Sequence, residues 1–374
     1  MSSKIYLDAP SVGQSEKKYI NNAIDNGYVS TMGPFVPEFE NRLAEYLGVK
    51  SAVSTQSGTA AIHMALYELG IGKGDEVIVP ALTFVATINP IVYVGAKPVF
   101  VDVDISTWNI CPDAIKNSIT ENTKAMLPVH LYGNPCAMDE IMEIANKFNL
   151  YIIEDATESL GSKYKGNYTG TFGDMGCFSF NGNKIITTGG GGLIVGNNIQ
   201  RLEHLKFLIN QAKDETREYY HPEIGFNYRM TNIEAALGLA QIEKLENILE
   251  KKKVFNDIYK KELEGINSVR FQEEYKGSEC SFWFSCILVE ENINLPGLQK
   301  ELKERKIPTR RTFMPATEMP PFQHCSQDKV KNSHRIYNRG LCLPSSILNS
   351  AEDIYYVCKT IKKLVINESL NVSL

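Results

Sequence analysis

The sequence predicts an α/β fold, with a mostly parallel central sheet covered by helices on both faces and a small α+β domain at the C-terminus. From about residue 50 to 195, short apolar runs alternate with amphipathic stretches, and Gly, Pro and Asp stand at the joints. Repeated β–α units of a parallel sheet produce this pattern. Because 374 residues exceed the usual size of one domain, we expect a large domain at 1–250 and a small one at 251–374.

The first helix whose ends can be predicted lies before this block, in PFVPEFENRLAEYLG. Phe35, Phe39, Leu43 and Leu47 recur every four residues and form one apolar stripe, and Gly48 is a typical residue after a helix end. We expect this helix to pack on the core.

The block itself contains strand candidates joined by helical stretches. In order, they read SAVST then GTAAIHMALYELG, DEVIVP then FVATINPIVYVG, KPVFVDVD, KAMLPVH then AMDEIMEIANKF, and LYIIEDA. Ligands of such sheets bind beyond the carboxyl ends of the strands. The loops after these runs are therefore the first place to look for a site.

The chain after the block predicts a long helix and then the small domain. TNIEAALGLAQIEKLENILEKKKVFNDIYKKEL has no internal proline and is apolar on one side, which indicates a single helix. Beyond about residue 265 follow a strand candidate FWFSCILV, a helix GLQKELKERK and a terminal helix AEDIYYVCKTIKKLV.

The composition is that of an ordinary soluble protein, with 43% hydrophobic residues, 22% charged residues and a net charge of −5. It lacks the basic excess of a nucleic-acid-binding protein, and we expect no nucleic-acid partner. The first residues have no apolar signal segment, and apolar runs fall far short of the roughly 20 residues of a membrane span. We therefore expect a cytoplasmic protein with no membrane partner.

The eight cysteines are scattered, with no C-x-x-C pair and no Cys/His cluster at the spacing of metal ligands. We interpret them as reduced, mostly buried thiols, and we expect no metal site.

STQSGTAA is the first candidate for chemistry in the β–α block. A strand ends at Thr55, and Ser57, Gly58 and Thr59 precede a helix. Free N–H groups at a helix start, a glycine and two hydroxyls suit a phosphate. The alternative is an ordinary helix N-cap, and the P-loop spacing is absent.

LYIIEDATES is the second candidate, because Glu154 and Asp155 stand at the end of an apolar strand. A carboxylate at the mouth of a buried strand is partly desolvated and needs a positive or N–H partner. The alternative is an aspartate that caps a neighbouring helix.

The third candidate is CFSFNGNKIITTGGGGLIV, in which Lys184 follows Ser179 and Asn183 and precedes the glycines at 189–192. A lysine in such a site can form a Schiff base when burial lowers the pKa of its amine. The alternative is a solvent-exposed loop lysine. We expect the glycines to let the backbone bend tightly where side chains would clash.

These three candidates match the needs of one cofactor, pyridoxal 5'-phosphate. It needs a lysine for its aldehyde, a phosphate cradle, a carboxylate that keeps its ring nitrogen protonated and an aromatic face. PALTFVAT supplies the aromatic residue at Phe84, again directly after an apolar strand.

The chain resembles the DegT/DnrJ/EryC1/StrS family of sugar aminotransferases, which have the aspartate aminotransferase fold (PLP fold type I). The stretches that carry the resemblance are GYVSTMGPFVPEFE, SGTAA, GDEVIVPALTFVAT, HLYGN, EDATESLGS, GTFGDMGCFSFNGNKIITTGGGG and GFNYRMTNIEAALGLAQIEKL. They are spread over nearly the whole chain. The resemblance implies that the large domain, with its N-terminal helices, binds pyridoxal phosphate.

The resemblance also implies residue roles. Lys184 matches the lysine that bonds the cofactor and shuttles protons, and Asp155 matches the partner of the cofactor's ring nitrogen. Phe84 falls where an aromatic ring stacks on the cofactor. The positions that hold the phosphate are matched by Gly58, Thr59 and Ser179, and by Asn227, which in the family reaches the cofactor of the neighbouring subunit. A homodimer with shared active sites is therefore implied.

Glu158 departs from the commoner pattern of the family. Many members read E-D-A-A-Q or E-D-A-A-H, whereas this chain reads EDATE and places Glu158 where a residue faces the cofactor's phenolic oxygen. A carboxylate there would be protonated or would accept a hydrogen bond. EDATES together with FSFNGNKIITTGGGG resembles members that move the amino group of L-glutamate to the C4 ketone of a nucleotide-linked 4-keto-6-deoxyhexose, as in perosamine, bacillosamine or legionaminic acid pathways.

Other functions stay open at this point. Within the family they are a 3-keto-sugar aminotransferase and a sugar dehydratase, and the resemblance would give the dehydratase a histidine in place of Lys184. A non-catalytic ligand sensor would need neither Lys184 nor Asp155. A nucleotide-binding dehydrogenase would need G-x-G-x-x-G after the first strand, which is absent.

Several further polar residues are weaker candidates. His63 is expected to pack on the apolar face of its helix. His130 lies at a strand end, and the sequence leaves open whether it faces the substrate. The arginines that could meet a diphosphate or a donor carboxylate are Arg229, Arg310 and Arg311.

Overall fold

The structure, a computed structural model, describes residues 4–325 and 330–371. Its α-helices are α1 (Gln14–Asp25), α2 (Phe35–Leu47), α3 (Gly58–Glu68), α4 (Val85–Tyr93), α5 (Pro112–Ser118), α6 (Met138–Phe148), α7 (Ile199–Ile209), α8 (Asn232–Ile242), α9 (Leu245–Leu263), α10 (Leu295–Glu304), α11 (Lys331–Arg339) and α12 (Ala351–Asn371). Short 3₁₀ turns lie at Leu131–Gly133, Ala316–Glu318 and Pro320–Cys325.

Its strands are β1 (Ser51–Thr55), β2 (Glu76–Pro80), β3 (Lys97–Val101), β4 (Thr123–Met126), β5 (Tyr151–Asp155), β6 (Lys163–Tyr164), β7 (Asn167–Tyr168), β8 (Met175–Ser179), β9 (Gly192–Gly196), β10 (Val269–Phe271), β11 (Ser278–Glu279), β12 (Cys286–Val289), β13 (Arg310–Arg311) and β14 (Gly340–Cys342).

Seven strands form the central sheet in the order β1-β9-β8-β5-β4-β2-β3. The pairs β3–β2, β2–β4, β4–β5 and β5–β8 are parallel, and β9 runs antiparallel to both β8 and β1. The mostly parallel sheet predicted from the β–α rhythm is confirmed. Its inner strands are buried along nearly their whole length, which is why they read as continuous apolar runs.

The C-terminal part contains a second sheet of four antiparallel strands in the order β10-β12-β14-β13. It has a hydrophobic core of its own, in which Ile287, Leu298, Leu341 and Ile354 are fully buried. The boundary expected at residue 250 falls inside α9, and the division into two domains stays a prediction.

The predicted helix at PFVPEFENRLAEYLG is confirmed as α2. Phe39 and Leu43 of its stripe are fully buried, and Gly48 follows with φ of +70°, a left-handed conformation that glycine adopts without strain.

The single long helix expected after the central block is wrong, because the chain ends α8 at Ile242 and starts α9 at Leu245. The break is stabilised by α1, since Lys244 pairs with Glu16 and the hydroxyl of Tyr19 donates to Glu243 over 2.5 Å. Tertiary contacts of this kind override a continuous helical pattern.

The strand predicted at FWFSCILV is shorter than expected and begins at Cys286. The aromatic residues before it, Trp283 and Phe284, are buried but lie outside the strand. The other two predicted helices are confirmed as α10 and α12.

Seven cysteines are described as free thiols, and five of them are buried; the side chain of Cys325 lies outside the described residues. Within residues 4–325 and 330–371, no helix is both long enough and apolar enough to cross a membrane.

Candidate active site

Loops that follow β1, β2, β5 and β8 meet around one cavity of about 480 Å³. They meet because the carboxyl ends of parallel strands share one edge of the sheet. Seven of the residues predicted for the site line this cavity, namely Gly58, Thr59, Phe84, Asp155, Glu158, Ser179 and Lys184.

The loop after β1 opens directly into α3. The hydroxyl of Ser57 accepts a hydrogen bond from the N–H of Ala60 at 3.1 Å, which caps the helix. A Cβ atom on Gly58 would lie only 2.8 Å from the Cβ of Ser179. The helix start and the end of β8 therefore approach as closely as glycine allows. The two interpretations of this stretch, a helix cap and an anion-binding site, are compatible, because Ser57 caps the helix whose first N–H groups face the cavity.

Asp155 ends β5 and faces the cavity while only 2% exposed. One carboxylate oxygen accepts from the hydroxyl of Thr87 at 2.7 Å, and the other accepts from the N–H of Thr157 at 3.1 Å. These two donors hold the carboxylate in a fixed orientation, and each of its oxygens can accept a further hydrogen bond.

Glu154, the residue before Asp155, is held by hydrogen bonds to the backbone and to a histidine and has a structural role. Its carboxylate accepts from the N–H groups of Gly170, Phe172 and Gly173, and it lies 3.0 Å from Nε2 of His130. His130 is fully buried, and its Nδ1 accepts from the N–H of Cys136. The open question about His130 is answered, because it pairs with Glu154 and does not line the cavity.

Lys184 is not a freely exposed loop lysine. Its Nζ lies 4.1 Å from the centroid of the Trp283 ring. Burial lowers the pKa of its amine, Glu158 and Asp155 raise that pKa through their charges, and Arg310 lowers it. A lowered pKa increases the fraction of neutral amine, which is the form that attacks a carbonyl.

Glu158 lies against the same cavity and is 2% exposed. It accepts a hydrogen bond of 2.8 Å from the N–H of Tyr132. Burial raises the pKa of its carboxyl to about 7, although Lys184 and the Tyr132 N–H act in the opposite direction. Near neutral pH this side chain can therefore either donate or accept a hydrogen bond.

Backbone conformation or close contacts explain three of the glycines at 189–192. Gly189 and Gly191 have φ of +87° and +88°. A Cβ atom on Gly192 would lie 2.4 Å from the backbone of Ser57, and one on Gly191 would lie 2.6 Å from Met230. The expected role, a tight bend without side chains beside the cavity, fits this geometry.

The C-terminal part completes the cavity with Trp283, Arg310 and Phe313. Sequence reasoning did not find Trp283 and Phe313 as site residues. The ring of Phe313 lies 5.6 Å from that of Phe84, which is 53% exposed. No local sequence pattern marks these two residues as site residues, because only the tertiary fold brings them to the cavity. The one available signal was that Trp283 is one of only two tryptophans in the chain.

Other candidates lie elsewhere. His63 packs among Tyr93, Phe226 and Tyr228, as expected. Asn227 is exposed and does not line the cavity within its own chain.

The three candidate arginines lie in three different environments. Arg310 faces the cavity, whereas Arg311 donates to the carbonyl of Tyr337. Arg229 lines a second cavity of about 550 Å³, together with Glu40 and Lys206. That cavity is the larger of the two, but Arg229, one of the weaker candidates, is the only sequence-predicted residue among its lining residues.

The residues around the first cavity fit pyridoxal phosphate. The start of α3 presents N–H groups at a position that only a glycine can occupy, which suits a phosphate. Asp155 is fixed and able to accept another hydrogen bond, Lys184 has an amine with a lowered pKa, and Phe84 and Trp283 present aromatic rings.

Comparison with known proteins gives consistent matches. The model of the DegT/DnrJ/EryC1/StrS aminotransferase family matches residues 10–362. GDP-perosamine synthase from Escherichia coli O157:H7 is 42% identical over 354 residues, covering 95% of this chain and 96% of the relative. GDP-perosamine synthase from Caulobacter vibrioides is 39% identical over 366 residues, covering 97% and 99%.

A solved structure agrees in fold along the whole chain. Helicobacter pylori PseC, an aminotransferase involved in the biosynthesis of pseudoaminic acid, has a TM-score of 0.92 at 25% identity, covering 98% of this chain and 100% of that chain.

Proposed function

Because the chain belongs to the DegT/DnrJ/EryC1/StrS family and is a pyridoxal phosphate-dependent nucleotide-sugar aminotransferase of amino-sugar biosynthesis, we propose that it aminates the C4 ketone of a nucleotide-linked 4-keto-6-deoxyhexose. The amino donor in this proposal is L-glutamate. Two relatives named for GDP-perosamine make GDP the nucleotide to test first.

One observation carries the proposal. Lys184, Asp155 and the start of α3 line a single cavity, so one bound molecule can meet a nucleophilic amine, a fixed carboxylate and an anion site together. The presence of Lys184 supports amino transfer over the dehydratase of the same family. Lys184 and Asp155 together also argue against a ligand sensor, which would need neither.

When bound, pyridoxal phosphate withdraws electrons from the carbon that carries the amino group and thereby makes its proton removable. In our proposal Asp155 holds the cofactor's ring nitrogen protonated, helped by Thr87, whose hydroxyl donates to the carboxylate at 2.7 Å. Gly58, Thr59 and Ser179 hold the phosphate, and Phe84 packs on the ring.

Lys184 moves the proton. Its amine, acting as a general base, removes the proton from the donor's α-carbon. It later delivers a proton to the carbon that accepts the amino group. The lowered pKa of the amine suits a base that must be neutral at the start of each proton transfer. Glu158 faces the cofactor's phenolic oxygen, where its carboxyl, with a pKa of about 7, donates or accepts a hydrogen bond.

The active unit in this proposal is a homodimer with shared sites. Asn227 is exposed and does not line the cavity of its own chain, and we propose that its amide reaches the cofactor phosphate of the neighbouring subunit. The cytoplasmic location expected from the sequence stays a prediction, which cell fractionation tests.

A two-step assay tests the proposal. The purified protein with pyridoxal phosphate is first given L-glutamate alone, and 2-oxoglutarate and the cofactor's spectrum are followed. GDP-, UDP- and dTDP-linked 4-keto-6-deoxyhexoses are then added one at a time. We expect one stoichiometric equivalent of 2-oxoglutarate, and then return of the starting spectrum together with a 4-amino sugar.

The two steps separate the alternatives. If glutamate reacts and no 4-keto sugar restores the spectrum, nucleotide-linked 3-keto sugars are added next; restoration by one of them would show that the C4 assignment is wrong. If glutamate produces no 2-oxoglutarate while another amino acid yields its keto acid, the donor assignment is wrong.

A further inference from the structure

We propose that Trp283, anchored from behind by Lys252 of α9, is the residue that positions the amine of Lys184 while that amine is free. This inference rests on the function proposed for Lys184, because an aminotransferase lysine must leave and rejoin the reacting group in every cycle.

The contact between the two side chains is direct. Nζ of Lys184 lies 4.1 Å from the centroid of the Trp283 ring, within the range of a cation–π interaction, for which tryptophan is the best partner. Trp283 is only 3% exposed, so little water competes for the ammonium. The ring lines the same cavity as Lys184 and Asp155.

Trp283 is held at its side chain and at its backbone. The indole Nε1–H donates to the carbonyl of Asn183, the residue before Lys184, at 2.6 Å. The carbonyl of Trp283 accepts from Nζ of Lys252 at 3.1 Å. The same amine donates to the carbonyl of Ser345 at 2.9 Å. The ring therefore has little freedom to leave the Lys184 amine.

Lys252 is an unusual residue for this position. It is 6% exposed, and burial lowers the pKa of its amine to about 7, with only the charge of Asp8 acting in the opposite direction. Burying an amine is costly unless its donors are used. Both of its hydrogen bonds go to backbone carbonyls, and one of these belongs to Trp283, which lines the cavity; this points to a positioning role.

The two lysines are close to each other in the interior. A small cavity of about 20 Å³ is lined by Lys184, Asn183 and Lys252, together with Asp8 of the N-terminal segment. Trp283 therefore connects the two lysines: its ring contacts the amine of Lys184, and its carbonyl accepts from the amine of Lys252.

The contact with Trp283 affects the pKa of the Lys184 amine. The charged groups that act on this amine are Glu158, Asp155 and Arg310, and the test variants leave all three in place. A tryptophan ring favours the charged ammonium, so removing the ring lowers the pKa of Lys184 below its already lowered value.

The pKa of Lys184 can be measured without cofactor, donor or sugar. Full-length protein freed of cofactor is acetylated with limiting acetic anhydride between pH 6 and 11, and the extent at each lysine is read by mass spectrometry. Exposed Lys300 of α10 serves as the internal reference. We expect Trp283→Leu to lower the pKa of Lys184 by about one unit.

Lys252→Met tests the anchor, and Lys251→Met is its matched control. Lys251 belongs to the same helix, but its amine donates to the carbonyl of Ile347 and lies near the ring of Phe255, whereas the amine of Lys252 donates to the carbonyl of Trp283. We expect Lys252→Met to shift the pKa of Lys184 in the same direction as Trp283→Leu, by less, and Lys251→Met to leave it unchanged. Lys252→Arg, which retains the donors, should restore most of the wild-type value.

Circular dichroism establishes which variants are folded, and Trp283→Met, which also lacks an aromatic ring, replaces Trp283→Leu if the latter is not. An unchanged pKa of Lys184 in folded Trp283 and Lys252 variants would overturn the inference. Equal shifts in Lys251→Met and Lys252→Met would overturn the anchoring role. Because labelling involves no turnover, failure of the two-step assay with a normal Lys184 shift would count against the proposed function alone.

Discussion

Lys184 lies where chemistry, and not packing, determines the residue. Burial of its amine lowers the pKa, so the cost of burying the charge offsets the contact of the amine with the Trp283 ring, and alanine should remove little stability. We expect Lys184→Ala to abolish turnover while the free energy of unfolding changes by less than about 1 kcal/mol. Turnover with donor and keto sugar, and urea unfolding, are the measurements. Lys300→Ala, at an exposed site of α10, is the control, and turnover retained in Lys184→Ala would remove the central claim.

Asp155 acts through its charge. An asparagine at this position keeps one oxygen that can accept from the N–H of Thr157, and its amide NH₂ can donate to the hydroxyl of Thr87 in place of the second carboxylate oxygen. An amide cannot, however, keep a ring nitrogen protonated. We expect Asp155→Asn to remain folded and to bind pyridoxal phosphate, with the rate lowered by roughly 10²–10³-fold or more. Cofactor binding by equilibrium dialysis and single-turnover rates test this. A rate near that of wild type would mean that the ring nitrogen has another partner.

Glu158 makes stability depend on pH in an unusual direction. Burial raises the pKa of its carboxyl from 4.5 to about 7, so between these values the folded state keeps a proton that the unfolded state releases. The free energy of unfolding therefore falls as pH rises through this window, by about 1.4 kcal/mol per unit and on the order of 3 kcal/mol in all. Glu158→Gln removes this contribution.

The measurement is urea unfolding at pH 5 and pH 7.5 for wild type and Glu158→Gln. All other titrating groups are common to both proteins, so the difference between the two slopes isolates Glu158. Identical pH dependence in the two proteins would show that the carboxyl is ionised in the folded state across this range.

The start of α3 depends on its closeness to the end of β8. A Cβ atom on Gly58 would lie 2.8 Å from Ser179, so Gly58→Ala must move one of the two elements that face the phosphate. We expect the affinity for pyridoxal phosphate to fall at least about tenfold and stability to fall by about 1–3 kcal/mol. Gly182→Ala is the control, because no atom of the described neighbours lies within 4 Å of the place its added methyl group would take. Equal cofactor affinity in the two variants would contradict the assignment.

The elements that could be predicted from the sequence are those with a strong local pattern. The strands of the central sheet are short apolar runs between turn residues, and α2 has a complete apolar stripe. Lys184, Asp155 and Gly58 lie at or just beyond strand or helix ends, where the β–α rule already expects a ligand.

The elements that were missed depend on contacts between distant segments. The break between α8 and α9 is held by Glu16 and Tyr19 of α1, which no pattern inside the helical stretch reveals. His130 could not be assigned because its partner Glu154 is 24 residues further along the chain. Trp283 reaches the cavity from the C-terminal part for the same reason.

The N-terminal segment connects the two halves of the molecule around the site. The carboxylate of Asp8 accepts from Arg310 at 2.7 Å and from the amide of Asn183 at 3.1 Å. Asn349 forms two hydrogen bonds with the backbone of Tyr6. Arg310 and Asn183 both line the cavity, so the N-terminal segment joins walls that come from distant parts of the chain, and the geometry of the cavity depends on the folding of the whole molecule.

The proposed sharing of active sites between subunits can be tested by mixing two inactive variants. If Asn227 serves the neighbouring subunit, a dimer of one Lys184→Ala chain and one Asn227→Ala chain has one site with both defects and one site with neither. Random exchange of subunits then makes about a quarter of all sites intact, so activity should return on mixing in proportion. Asn227→Ala must be inactive alone, and Lys184→Ala mixed with Asp155→Asn is the control, because both residues line one chain's cavity and no exchange can rebuild a site. No recovery in the first mixture, with subunit exchange shown by mass spectrometry, would mean that Asn227 acts within its own chain.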